Sequence, residues 1–325
     1  MRDRSPAEPE IRAARSRCLG GCGRCHHGSV KDQGTTGWFD QDSAWWVKAH
    51  RAAAHLRELD RLVGEYRDSV PYAVAPDPAG AEGRVPYRLR LLKPVPTVIN
   101  ATIGDVLSNL RAALESVAYE IARLGGGGTL SDEQERAPQF PICSTPNDFD
   151  VKFFDARRAR GPLYDDRARA ALRAVQPFVN VEMLLNEGVD MELDYALAFE
   201  LSELHRLDVL WNIDKHRRLA VLTWWPDVIW WTSFGPTQRR LLPGDGTMQD
   251  GSILFYVEGG DEGQGDVNHE FKLALTDDPA RSVGPEPTAE DAVDLLTRLH
   301  DHVTGWVLPV IFDRMAYGAS PAGDA

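Results

Sequence analysis

Apolar positions along the chain follow two rhythms, separated by glycine, proline and aspartate. Over 40–67, Trp45, Val47, Ala52, Leu56, Leu59, Leu62 and Val63 recur at a helical spacing. Over 84–95, apolar Tyr87, Leu89 and Leu91 alternate with Arg88 and Arg90, which predicts a strand. Pro86, Pro94 and Pro96 shorten that strand or confine it to a sheet edge, because proline cannot donate to the ladder. A long helix is predicted over 98–124, with Ile103, Leu107, Leu110, Leu114, Val117 and Ile121 on one face. Four consecutive glycines, Gly125 to Gly128, end it. Shorter helical pieces follow over 147–158 and 165–175, the second stopped by Pro177. A second long helix over 191–212 carries Leu193, Ala196, Phe199, Leu201, Leu204, Leu207 and Leu210, and runs into Asp214-Lys215-His216-Arg217.

The pattern then changes to short strands over 219–225, 228–234, 252–257 and 267–275. Pro226-Asp227 reads as a hairpin turn between the first two, flanked by Trp224-Trp225 and Trp230-Trp231. Alternation would point one Trp of each pair inward and the other outward, under the last helix or onto a planar ligand. That helix opens at Pro287-Thr288, where the Thr288 hydroxyl can cap the Asp291 amide, and runs to about 315 with a kink at Pro309. Helices first, strands next and a returning helix predict an α+β fold. It is mainly helical, with two long paired central helices, a small antiparallel sheet and a C-terminal helix. The expected organisation is a disordered, basic, Cys-containing extension over 1–37, one α+β domain over 38–318 and a disordered tail over 319–325.

Charge sharpens that division. The 325 residues carry 36 basic and 49 acidic side chains, a net of −13. The first 37 hold seven basic and four acidic residues, so they are +3 and the remainder is −16. An acidic domain argues against an extended nucleic-acid footprint, which needs clustered Lys and Arg. Thirty of the basic residues are arginine, which reads as coding bias more readily than as a demand for bidentate anion contacts. Four cysteines are too few for a disulfide framework, and no run approaches the length of a membrane span. Without an export signal, the expected compartment is the cytoplasm, with no membrane partner.

The segment from Ile103 through Gly104-Asp105, Asn109-Leu110-Arg111 and Leu114-Glu115 combines with Phe140-Pro141-Ile142, Gln176-Pro177-Phe178 and Asn212-Ile213-Asp214-Lys215-His216-Arg217, in that order. This ordered set resembles a group of uncharacterised bacterial proteins sharing a G-D-x-x-x-N-L-R-x-A-L helix and a later D-K-H-R. The likeness spans about 45–235 and implies an architecture, with no activity attached. Helical nucleases of the HEPN type need a closely spaced Arg and His on one helix. Arg206 precedes His216 by ten positions, so the chain departs from that pattern.

Three polar constellations offer chemistry. Cys18, Cys22 and Cys25 with His26 have the donor types of a tetrahedral zinc site, the alternative to no cofactor at all. Cys22 to His26 also matches C-x-x-C-H, the haem-attachment pattern, and the three thiols have iron–sulfur spacing. The bland reading is an accidental cluster in a tail. His205, Asp208 and Asn212 share one helix face, joined by His216 if the helix continues, as a polar seam, a metal site or a base with its orienting carboxylate. Asp105, Asn109 and Arg111, with Glu115 one turn beyond, form the facing set. Asn109 is disfavoured in mid-helix, so a specific partner is expected, with Lys215, His216 or Arg217 nearest to hand. His300, Asp301 and His302 on the last helix read as solvated.

The leading expectation is a cytoplasmic ligand-binding or interaction protein. Its polar inter-helix site would comprise Asp105, Asn109, Arg111, Asn212, Asp214, Lys215, His216 and Arg217. Its partner would be a small molecule or a protein; the oligomeric state stays open. The alternative is a hydrolase, metal-assisted or nuclease-like, with His205 or His216 as base, Asp208 beside it, and Arg111 or Lys215 stabilising an anion.

Overall fold

The computed structural model describes residues 42–77, 84–125, 130–132, 134–155, 161–179, 181–182, 195–216, 222–233, 240–243, 250–258, 265–275 and 290–317, with only the backbone for much of the strand region after 221. The expected extension over 1–37, its cysteine cluster and the tail over 319–325 lie outside the described residues. The fold is α+β and mainly helical.

Helix α1 (Ala44–Asp68) packs along α2 (Thr97–Gly125). The buried stripe of α1 is Trp45, Ala49, Ala52, Leu56, Leu59, Val63 and Tyr66. Val47 is 44% exposed, because it falls off this 3–4 spacing by half a turn. On α2, all six expected core residues are fully buried, and so are Ile99, Val106, Ala113, Ala118 and Ala122. A helix buried this broadly is surrounded. Besides α1, it touches α3 (Asp166–Arg173), α5 (Glu203–His216) and α6 (Ala292–His302).

The second long helix differs from expectation. It is two pieces, α4 (Tyr195–Glu200) and α5, divided at Leu201-Ser202. The Ser202 hydroxyl donates to the Phe199 carbonyl and accepts from the His205 amide, so one side chain both closes α4 and opens α5. Leu201 is 69% exposed and leaves the apolar stripe, whereas Leu204, Leu207 and Leu210 are buried against the core.

Strands β1 (Tyr72–Pro76), β2 (Arg84–Leu91), β4 (Arg240–Pro243) and β5 (Ile253–Glu258) form an antiparallel sheet in the order β1-β2-β5-β4. Strand β2 therefore lies inside the sheet, so the edge position is not met, while the alternative of a limited length is: the strand stops at Leu91, before Pro94. A register shift between Tyr87 and Arg88 adjusts the ladder beside that proline. Across the shift, Leu89 joins the main core, while Tyr87 stacks on Phe255 at 4.9 Å in a small second cluster with Val257.

A second sheet has the order β3-β6-β7, from β3 (Leu222–Ser233), β6 (Gly265–Leu275) and β7 (Glu290–Asp291). The hairpin expected at Pro226-Asp227 is not formed. Both halves belong to one 12-residue strand paired with β6 from Leu222↔Leu275 to Ser233↔Gly265, and the proline is absorbed as an irregularity between Pro226 and Val228. Leu273 and Leu275 carry this sheet into the main core.

Helix α6 starts one residue after Asp291, whose carboxylate accepts from the amides of Val293 and Asp294. The cap is thus Asp291, and the proposed Thr288 lies outside the described residues. Asp291→Ala should cost about 1 kcal/mol in urea unfolding; an unchanged midpoint would show the cap to be idle. A π-turn (Val303–Val307) precedes α7 (Leu308–Tyr317), so the irregularity falls just before Pro309. His302 is half-buried, its ring tilted against Trp306 at 5.0 Å, rather than solvated, and burial holds its pKa below the usual histidine value, against the opposing pull of Glu203.

Candidate functional site

The motifs of the ordered set converge in space. Two of them form a structural lock. Gln176 is fully buried just beyond α3. Its amide nitrogen donates to the carbonyls of Pro141 (3.1 Å) and Leu172 (3.0 Å), and its oxygen accepts from the Cys143 amide (3.0 Å). Phe178, fully buried, lies edge-on to Phe149 and under the Arg173 guanidinium. The Phe140-Pro141-Ile142 segment is thereby fixed as extended backbone against the helices. From its other side, Glu115 accepts from the Phe140 amide at 2.9 Å.

Arg111 joins the lock to a polar seam between α2 and α5. It pairs with Glu115 at 2.7 Å, the expected i,i+4 pair, and lies 3.7 Å from an Asp208 carboxylate oxygen. Its side chain is 12% exposed, against 34% for Glu115 and 32% for Asp208. Its guanidinium carbon stands 5.6 Å from the centre of the Trp211 ring, and the Lys215 ammonium stands 4.8 Å from the same ring. Such contacts hold a cation at a flat apolar face without neutralising it. Arg111 Nε and Nη1 are buried and have no hydrogen-bond partner among the described residues. Asn212 donates to the Asp208 carbonyl (2.8 Å) and carboxylate (3.2 Å), which keeps that carboxylate on the α2 side of the seam.

The far end of the seam is acidic. A Cβ placed on Gly104 would lie 2.7 and 2.8 Å from the two carboxylate oxygens of Asp214, so the absence of a side chain at 104 is what lets Asp214 rest against α2. Asp105 follows Gly104, and its carboxylate is 4.0 Å from His55 Nδ1 on α1. Burial, followed by the charge of Asp105, raises the Asp214 pKa above its ordinary 3.8. Its position in the last turn of α5, at the negative end of the helix dipole, acts in the same direction.

The expected site residues are therefore brought together in part. Asp105, Arg111, Asp208, Asn212, Asp214 and Lys215 share the seam. Asn109 is 9% exposed, and its side-chain amide donates to the Asp105 carbonyl one turn back at 2.7 Å; this backbone bond answers the partner expected from Lys215, His216 or Arg217. The His205 ring packs on Phe199 of α4 at 4.1 Å. His216 ends α5, but its side chain, like Arg217 and the Cys18, Cys22, Cys25 and His26 cluster, lies outside the described residues. Sequence reasoning missed His55, Trp211 and the Gly104 notch. A glycine in mid-helix directly before an aspartate is the one signal that could have raised the notch.

Among the described residues, no group of three or more His, Cys, Asp or Glu is placed to hold a metal ion. None of the described helices is long and apolar enough to cross a membrane. Comparison with protein-family models, curated proteins and solved structures found no match to the chain.

Proposed function

We propose that the chain is a cytoplasmic ligand-binding or interaction protein whose site is the polar seam between α2 and α5. The observation that carries this reading is Arg111: its buried Nε and Nη1 make no hydrogen bond among the described residues, Nε standing 3.7 Å from the Asp208 carboxylate, beside an aromatic ring and a second cation. A buried donor left unsatisfied costs about 1–3 kcal/mol, and an incoming acceptor would recover that cost. The fitting ligand is a small molecule with a carboxylate or phosphate for the guanidinium fork. The ring contact of His205 with Phe199 supports this reading over a hydrolase using His205 as base.

The test is a thermal-shift titration with acetate, citrate, inorganic phosphate and a nucleoside monophosphate as probes. A saturable rise in unfolding midpoint that disappears in Arg111→Gln is expected. Absence of any saturable shift, or a shift that survives in the variant, would remove the reading.

A further inference from the structure

Helix α1 ends on a residue that suits its backbone poorly. Beyond the Ser69 cap, Val70 takes a φ of 50°, the left-handed region where helix ends ordinarily place glycine or asparagine. A β-branched side chain is unfavourable there, because it crowds the backbone on either side. Among the described residues no other non-glycine residue has a positive φ. Burial does not offset the strain, since Val70 is 64% exposed.

The hairpin of β1 and β2 brings two further apolar side chains to the same place. Tyr72 pairs with Leu91, and the ladder runs on to Pro71, whose carbonyl accepts from the amides of Leu92 (2.7 Å) and Lys93 (3.1 Å). The Lys93 ammonium donates to the Ser69 carbonyl, and the Tyr66 hydroxyl donates to the Lys93 carbonyl at 2.8 Å. Residues 91–93 are thereby strapped to the chain on both sides of Val70. Leu92 is 58% exposed and Leu91 38%. Three apolar side chains thus stand in water on a backbone already held by hydrogen bonds, so a partner has little left to order. Strain kept at an exposed position points to a use beyond folding.

The charges around the patch decide what fits it. Exposed Arg67 and Asp68 precede Val70, and exposed Arg90 and Lys93 flank the leucines. Exposed Asp250 accepts from the Leu91 amide at 3.0 Å. The rim therefore carries both signs. An anionic lipid or nucleic-acid surface calls for cations alone, and the net −16 beyond residue 37 would oppose either. A two-fold contact sets one patch against itself. A rim of a single sign would then repel, whereas a mixed rim lets the cations of one copy meet the carboxylates of the other.

We propose that Val70, Leu91 and Leu92 form the centre of a two-fold contact between two copies of this chain. The surface shares no residue with the seam between α2 and α5, and it stands whether or not Arg111 binds a ligand. Three side chains cover less than the roughly 800 Å² per partner of a standard interface, so the dimer is weak and reversible.

Sedimentation equilibrium of the full chain, from about 1 μM to about 500 μM, reads the association. The average mass should climb from one chain toward two across that range. Leu92→Ser changes an exposed side chain and should weaken the dimer roughly tenfold or more. Val70→Asn should do the same while its unfolding midpoint stays level or rises, because asparagine accepts left-handed backbone more readily than valine. A wild type that remains monomeric throughout, or a dimer equally tight in both variants, would overturn the proposal. A lowered unfolding midpoint in both variants would do so too, since the lost dimer would then report misfolding. The last arm uses vesicles of phosphatidylcholine with about one third phosphatidylserine. Binding of the monomer to them that disappears in Leu92→Ser would give the patch to a lipid surface and overturn the two-fold contact.

Discussion

Gln176→Leu should lower stability by about 3 kcal/mol, one of the largest losses expected from a single polar substitution in this chain. The residue is fully buried and its amide makes three hydrogen bonds, all to backbone. Leucine preserves much of the volume, so the cost is the orphaned groups. The Cys143 amide and the Pro141 carbonyl lose this partner away from water. So does the Leu172 carbonyl, near the end of α3 where the helix itself supplies no donor. For a domain of this size the loss corresponds to roughly 6–12 °C in unfolding midpoint. Calorimetry or urea unfolding reads it directly. A loss below about 1 kcal/mol would mean that water replaces the amide and that the lock is dispensable.

Arg111→Met should cost about 2–3 kcal/mol, somewhat less than the removal of one partner from a fully buried ion pair. The guanidinium is nearly enclosed, but Glu115 and Asp208 each keep about a third of their exposure, so water recovers part of what they lose. Methionine retains most of the aliphatic stem, so the loss reports chiefly the guanidinium and its contacts. Arg111→Lys should recover only a fraction, because an ammonium cannot reach Glu115 and Asp208 with a planar fork. A double-mutant cycle with Glu115→Gln separates the pair from the packing. A coupling energy near zero would show that Glu115 serves Phe140 alone.

These two residues also mark what could be read in advance. Arg111 and Glu115 were legible as an i,i+4 pair because both partners sit on one helix, where spacing dictates contact. Gln176 was visible only as part of a short motif. Its partners lie 33 and 35 positions away on a segment without regular structure, and no periodicity reports such a bond. The same limit applies to His55 and Asp105, which approach only because α1 lies along α2. Asn109 was rightly suspected of a specific bond, yet the acceptor is local backbone, which outcompetes a distant side chain by lying one turn away.

By itself, the sequence determined the class and the principal helices. The stripe from Ile103 to Ile121 is the buried face of α2, whose last residue is Gly125, since period and breakers are local properties of the chain. Tertiary structure decided the rest. Pro86 stands inside a sheet because a bulge beside it adjusts the ladder, and Pro226 sits within a continuous strand because β6 pairs across it on both sides. The Gly104 notch is a property of two helices that meet, with a carboxylate from one seated on the backbone of the other. Local pattern is written in neighbouring residues. The meeting of distant faces depends on how all of them pack together, and the seam between α2 and α5 belongs to that second kind.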